Sequence, residues 1–200
     1  MSNNGVRIGV TMRVLEAQGY YEPRDALAQD WSNFMSAALP DAAWLPLPNL
    51  GVKKARAYCE KWGVNRLILT GGEDIGVSPI RDDTELELLI WARERAIPVL
   101  GVCRGMQMMA VWAGVALKPV EGHVRTRHIM RGDFVREVNS FHNYGLTECP
   151  QGFEVLARTE DGVVEAIRNP ALCWEGWMWH PERERPFQSV DIDRLRRLFG

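Results

Sequence analysis

Between residues 6 and 102 the chain keeps one rhythm: a short β-branched or apolar run, then a stretch with apolar residues at helical spacing. V-R-I-G-V-T at 6–11, A-W-L-P-L at 43–47, R-L-I-L-T at 66–70 and I-P-V-L-G-V at 97–102 read as strands. Between them, residues 23–38 place Leu27, Trp31, Phe34, Met35 and Ala38 on one helical face, with Pro23 suited to the first turn. Residues 52–62 repeat the pattern with Val52, Ala55, Cys59 and Trp62. A third helix is predicted from Asp82, with Glu85 completing a capping-box analogue and Leu86, Leu89, Ile90 and Ala96 following. Strands alternating with helices of this length form βαβ units, which build a parallel sheet.

After about residue 115 the rhythm changes. Residues 134–138, 153–158, 163–168 and 172–179 are strand-like, with no long helix between them. Residues 189–199 close the chain as a helix, with Asp191 and Asp193 early and Arg194, Arg196 and Arg197 late, an order that suits the helix dipole. No repeat or linker interrupts the sequence. The expected architecture is one domain over 1–200: a three-layer α/β fold with a mostly parallel central sheet flanked by helices and a strand-rich second half. A chain of 200 residues can bury about 70% of its unfolded surface, enough to fold without disulfides or metals.

Composition excludes several partners. The net charge of −2 lacks the basic excess of a nucleic-acid or membrane-surface binder. No apolar run approaches the length of a membrane span, and Met1–Gly5 do not open a signal peptide, so a cytoplasmic location is expected. Four scattered cysteines without a C-x-x-C pair are expected to be free thiols.

Chemistry concentrates at three places. G-V-C-R-G at 101–105 lies between an apolar strand and a helical stretch, the setting of a nucleophile elbow, where Gly101 and Gly105 allow a sharp turn. Cys103 would stand at a helix N-terminus, which favours a thiolate, and the backbone N–H of Arg104 would face an oxyanion. Alone, the pentapeptide equally describes a buried structural cysteine. W-H-P-E at 179–182 offers His180 as a base with Glu182 positioned to orient it, or a surface histidine beside an acidic loop. Gly71-Gly72 at the end of the 66–70 strand fits a second oxyanion donor, at Gly72, or a plain turn.

Together L-T-G-G-E-D-I at 69–75, P-V-L-G-V-C-R-G-M-Q at 98–107 and W-H-P-E at 179–182 resemble the class I glutamine amidotransferase-like superfamily, in order and spacing. The resemblance implies a flavodoxin-like fold, Cys103 as nucleophile, His180 as acid/base and Glu182 as its orienter. It also implies an oxyanion hole from Gly72 and Arg104, and Gln107 holding the glutamyl part of a substrate, with no cofactor. Within the superfamily, G-G-E-D-I-G-V-S-P at 71–79, R-D-D-T-E at 81–85 and V-N-S-F-H-N at 138–143 look like the γ-glutamyl hydrolase (peptidase C26) branch. By that match Asn139, Ser140 and Phe141 line the substrate cleft. The chain departs from the branch at Ala113-Gly114, Asn143-Tyr144 and Met178, which leaves the leaving group open.

G-Y-Y-E-P-R-D-A-L-A-Q-D-W at 19–31 is similar to the short γ-glutamyl-CDP-amidate hydrolases of capsule phosphoramidate synthesis. Arg13 and Arg24 would then meet phosphate, and Tyr20, Tyr21 or Trp31 a base, although Arg24 and Asp25 also fit a solvated first helical turn. The activity implied is hydrolysis of a γ-glutamyl amide of a small molecule, with release of glutamate. The alternative is a glutaminase subunit feeding ammonia to a separate synthetase. A homodimer is compatible with either. His123 and His128, five residues apart among Arg125, Arg127 and Arg131, do not share a helical face; no metal is expected there, and residues 125–131 read as a solvated loop. Trp174, Trp177 and Trp179 are core candidates, one of them a cleft wall.

Overall fold

The computed structural model describes residues 5–200; Met1–Asn4, part of the stretch read for a leader, lie outside the described residues. In chain order the elements are β1 (Arg7–Thr11), β2 (Arg13–Glu16), β3 (Pro23–Ala26), α1 (Asp30–Ala38), β4 (Ala43–Leu47), α2 (Val52–Trp62), β5 (Arg66–Leu69), α3 (Pro79–Arg95), β6 (Val99–Val102) and α4 (Arg104–Trp112). They continue with β7 (Lys118–Pro119), β8 (Val124–Ile129), β9 (Arg131–Gly132), β10 (Glu137–Phe141), β11 (Tyr144–Gly145), β12 (Glu154–Arg158), β13 (Val164–Asn169), β14 (Trp174–Trp177), a 3₁₀ turn (Pro181–Arg183) and α5 (Ser189–Phe199).

Eight strands form the central sheet in the order β4-β1-β5-β6-β14-β13-β12-β9. The five from β4 to β14 run parallel, and β13, β12 and β9 continue antiparallel. Side chains alternate across it as the strand period requires. Leu67 and Leu69 of β5 pack with α2, α3 and α4, while Ile68 faces α1 and α5. The predicted three-layer arrangement and strand-rich second half are therefore what the chain forms. Fully buried residues such as Leu67, Leu100 and Phe34 contribute roughly 1.5–3 kcal/mol each.

Three local expectations are corrected. Residues 23–26 are not helical: β3 pairs with β2 in an antiparallel hairpin, and α1 begins at Asp30. The buried face of Trp31, Phe34, Met35 and Ala38 was correctly read, but Pro23 opens an edge strand, where a missing N–H costs no ladder bond. The third helix starts at Pro79, not at Asp82. Asp82 sits inside it and reaches back to accept the Gly76 N–H at 2.8 Å. Residues 124–129 are strand β8, paired with β10 in a separate two-stranded flap. Their side chains are largely exposed, so the period-2 signal of a half-buried strand is missing from the sequence. The strand expected at 134–138 is displaced to Glu137–Phe141.

Among the described residues no helix is long and apolar enough to cross a membrane. All four cysteines are free thiols, with Cys59 and Cys103 buried.

Candidate active site

Cys103 ends the turn from β6 into α4 with φ 52° and ψ −105°, a left-handed conformation that costs a non-glycine residue roughly 1–3 kcal/mol. Two backbone hydrogen bonds hold it there: its N–H donates to the Trp177 carbonyl at 2.7 Å, and its carbonyl accepts the Gln107 N–H at 3.1 Å. Both flanking glycines are sterically required. A Cβ on Gly101 would lie 2.6 Å from the Gly105 carbonyl carbon, and one on Gly105 would collide with the Leu69 carbonyl. The first N–H groups of α4 lack intrahelical partners and surround the Cys103 position with partial positive charge.

His180 arrives by a different route. β14 lies beside β6 with Trp177 opposite Val102, so the residues after the two strands emerge at the same sheet edge. His180 Nδ1 is 2.7 Å from Glu182 Oε1, and both residues are almost fully buried. Pro181 starts the 3₁₀ turn that folds Glu182 back onto the ring. Burial works against charge on His180, but the Glu182 carboxylate and the Cys103 sulfur outweigh it and raise the imidazole to about 9. Gly71 packs against both partners: a Cβ there would be 3.5 Å from Cys103 Cβ and 2.5 Å from His180 Cε1. Cys103 of the elbow and His180 and Glu182 of W-H-P-E thus come together in one buried site.

The Gly71-Gly72 loop rests on a buried charge network. Gly72 has φ 155°, and Arg13 Cβ and the Arg81 guanidinium fill the space a side chain would need. Arg81, fully buried, donates to the Thr70 carbonyl at 2.8 Å, the Gly71 carbonyl at 3.2 Å, Glu73 at 2.9 Å and Glu85 at 3.0 Å. The Arg104 guanidinium pairs with Glu85 and Asp82, and Thr11 Oγ1 donates to Glu85 at 2.8 Å. Burial raises the Glu85 carboxyl, but Arg104 and Arg81 overcome this and leave it below the usual carboxylate range. Only the i,i+4 spacing of Arg81 and Glu85 hinted at this in the sequence.

The residues expected to bind substrate divide. Gln107 Nε2 donates to the Tyr144 carbonyl at 2.7 Å and ties the elbow helix to β11. Asn139 and Ser140 do not present their side chains to a cleft. Asn139 Oδ1 accepts the His180 N–H and its Nδ2 donates to the His180 carbonyl, both at 2.9 Å. Its Nδ2 also donates to Glu184 Oε1 at 2.7 Å. Ser140 Oγ donates to the His123 carbonyl at 2.7 Å. The β8–β10 register shifts between Ser140 and Phe141, and the partly exposed Phe141 ring meets the His180 ring edge-on at 5.7 Å. Arg24 lies on the exposed β2–β3 hairpin, held by Glu22 and the Tyr20 hydroxyl, both at 2.6 Å. The small cavity beside His180, about 30 Å³, is walled instead by Arg13, Trp31 and Arg183. Trp174, Trp177 and Trp179 are all fully buried and do not line it.

A thiol, an imidazole paired to an orienting carboxylate, and free helix N–H groups can together attack an acyl carbon and stabilise the resulting oxyanion. The profile of the family "Glutamine amidotransferase class-I" matches residues 52–188. The γ-glutamyl-CDP-amidate hydrolase of Campylobacter jejuni is 30% identical over 191 residues, covering 92% of this chain and 94% of that protein. Anthranilate synthase component 2 of Archaeoglobus fulgidus is 36% identical over 132 residues, 62% of this chain and 71% of its own. A glutamine amidotransferase structure from Thermotoga maritima superposes with a TM-score of 0.64 at 12% identity, covering 96% of this chain and 83% of that one, a likeness of fold. The elbow, the sheet order and these matches agree, and the chain belongs to the class I glutamine amidotransferase family as an amidohydrolase-type enzyme.

Proposed function

We propose that this protein hydrolyses a γ-glutamyl amide whose amine side is a nucleotide-linked phosphoramidate, a substrate of the γ-glutamyl-CDP-amidate type. The observation that carries the reading is the near full-length match to the Campylobacter jejuni hydrolase, on a chain whose Cys103, His180 and Glu182 converge. The Cys103 thiolate adds to the γ-carbonyl carbon, and the oxyanion takes hydrogen bonds from the N–H groups of Arg104 and Gly72. The C–N bond then breaks as His180 gives its proton to the leaving nitrogen, leaving a γ-glutamyl thioester on Cys103. Neutral His180 next takes a proton from water, the hydroxide adds to the thioester carbonyl, and C–S cleavage releases glutamate and restores the thiolate. Glu182 keeps the ring oriented and supports its charge throughout.

The test is glutamate release by the purified chain alone. The panel contains glutamine, γ-glutamyl-aminobutyrate, polyglutamate and a γ-glutamyl phosphoramidate of a cytidine nucleotide. The last is expected to be turned over with the highest kcat/KM, and Cys103→Ala is expected to bind it without turnover. Glutaminase activity appearing only with a synthetase added would overturn the reading in favour of an ammonia-supplying subunit.

A further inference from the structure

A second cluster of titratable side chains lies in the strand-rich half. His123 precedes β8, His128 is on β8, His142 follows β10, and Glu165 is on β13 of the central sheet. Glu165 is fully buried, and His123 and His142 are each 3% exposed. Three imidazoles converge on the one carboxylate. His128 Nε2 is 3.3 Å from Glu165 Oε2, His142 Nε2 is 3.3 Å from Oε1, and His123 Nδ1 is 3.6 Å from Oε1. None of these five atoms has a hydrogen-bond partner in the structure. Protonated rings would pair this buried carboxylate; with neutral rings both of its oxygens stay unpaired, at a large desolvation cost.

The remaining ring nitrogens sharpen the point. His142 Nδ1 lies 3.0 Å from the Tyr144 carbonyl, which only accepts, so that nitrogen carries a proton. His123 Nε2 lies 2.9 Å from Asp161 Oδ2 and is a donor on the same grounds. In the neutral rings the other nitrogens, His123 Nδ1 and His142 Nε2, are bare lone pairs aimed at carboxylate lone pairs. A cation between them turns this repulsion into coordination. Ligands about 2.0–2.1 Å from a tetrahedral zinc stand roughly 3.3–3.4 Å apart; the His128 and His142 separations of 3.3 Å match this, and the His123 separation of 3.6 Å is slightly longer. The donor atoms of His123, His128 and Glu165 all fall within 4.8 Å of one another. Asp161 behind His123 and the Tyr144 carbonyl behind His142 are the outer partners that orient ligating histidines. A surface cleft lined by Gly122, His123, His128 and Asp161 gives an entry path.

We propose that His123, His128 and Glu165, with His142 beside the carboxylate, bind one divalent transition metal of the zinc class. Imidazole-rich donor sets favour such metals over magnesium or calcium. The absence of metal expected from the five-residue spacing assumed a helix; here the histidines belong to a flap strand, and the carboxylate comes from the sheet. The metal would clip the β8–β10 flap to β13, and that flap carries the Asn139 side chain that holds the His180 backbone.

The test uses the tag-free full chain with Cys103→Ser, which removes the active-site thiol as a competing ligand. After dialysis against a chelator, Zn²⁺ is titrated calorimetrically, and Co²⁺ is added while the visible spectrum is recorded. One Zn²⁺ per chain, the intense bands of four-coordinate Co²⁺, and a rise in Tm with Zn²⁺ are expected. Glu165→Gln and the partly exposed His128→Asn should weaken binding at least about 100-fold and lose the bands. His128→Asn decides the matter if Glu165→Gln does not fold. Absence of Zn²⁺ binding by the folded protein, or equal binding by the His128→Asn variant, would overturn the proposal.

Discussion

Asn139 holds the backbone of His180 from both sides, accepting its N–H and donating to its carbonyl at 2.9 Å each. The flap therefore sets where the His180 main chain lies, and Glu182 sets how the ring turns. Replacing Asn139 with Leu keeps most of the volume and removes both bonds. The expected result is a fall in kcat of roughly 10²-fold, the scale of a small misplacement of a reacting group, with KM nearly unchanged. Asn139→Asp should recover little, because its second oxygen would face the His180 carbonyl and the Glu184 carboxylate that now accept from Nδ2. Steady-state kinetics of both variants checks this.

Gly71 offers a sharper steric probe. Its φ lies outside the left-handed region, so alanine fits the backbone, yet the new methyl would sit 2.5 Å from His180 Cε1. Gly71→Ala is expected to lower kcat by about 10²-fold or more while Tm moves only a few degrees. A drop in Tm matching the drop in activity would mean the methyl disturbs the fold, not the ring.

The protonation of His180 has a definite sign. Its raised value, about 9, comes from Glu182 and Cys103 winning over burial. Stabilisation from the charged ring is complete below its unfolded value of about 6.5 and is lost as pH rises through about 9. Proton donation to the leaving nitrogen needs the charged ring, so kcat/KM should decline above about pH 9. In Glu182→Gln the decline should move to lower pH. Proton NMR of the His180 ring and a pH–rate profile would both register the shift.

Glu85 neutralises two buried guanidinium groups, Arg81 and Arg104. Glu85→Ala leaves Arg81 with only Glu73 and Arg104 with only Asp82, and breaking a buried pair costs up to about 3–5 kcal/mol. Urea unfolding should show a lowered midpoint of that size. Since Arg81 also holds the Thr70 and Gly71 carbonyls, residual activity should fall by more than the loss of folded protein explains.

The parallel half is legible because its apolar strands and helical faces are written locally. The G-x-C-x-G turn and W-H-P-E each leave a plain structural reading open alone; it is their order and spacing with the Gly71-Gly72 loop that single out Cys103, His180 and Glu182. Asn139 was singled out, but its role was misassigned, because pairing with His180 depends on how the flap folds over a strand end 41 residues later. Arg24 is expected near the carboxyl end of the first strand, or in a solvated helical turn; it lies instead on the exposed β2–β3 hairpin, bonded to Glu22 and the Tyr20 hydroxyl. The Arg81–Glu85–Arg104 network and the histidines around Glu165 were illegible for a related cause. Arg81 and Glu85 share α3, but Arg104 joins them from α4 and Glu165 meets its histidines from another sheet, contacts that only tertiary packing makes.

The position of β14 bears on how the protein is made. It lies between β6 and β13, joining the parallel and antiparallel halves of the sheet, yet it is the last strand to be synthesised. Cys103 is synthesised 77 residues before His180, and at that stage its elbow also lacks the Trp177 carbonyl that later holds it. Until β14 inserts, the antiparallel strands have no place on the sheet and the thiol has no partner. Reactivity at Cys103 is thereby tied to completion of the polypeptide, and a prematurely terminated chain would carry an unarmed cysteine.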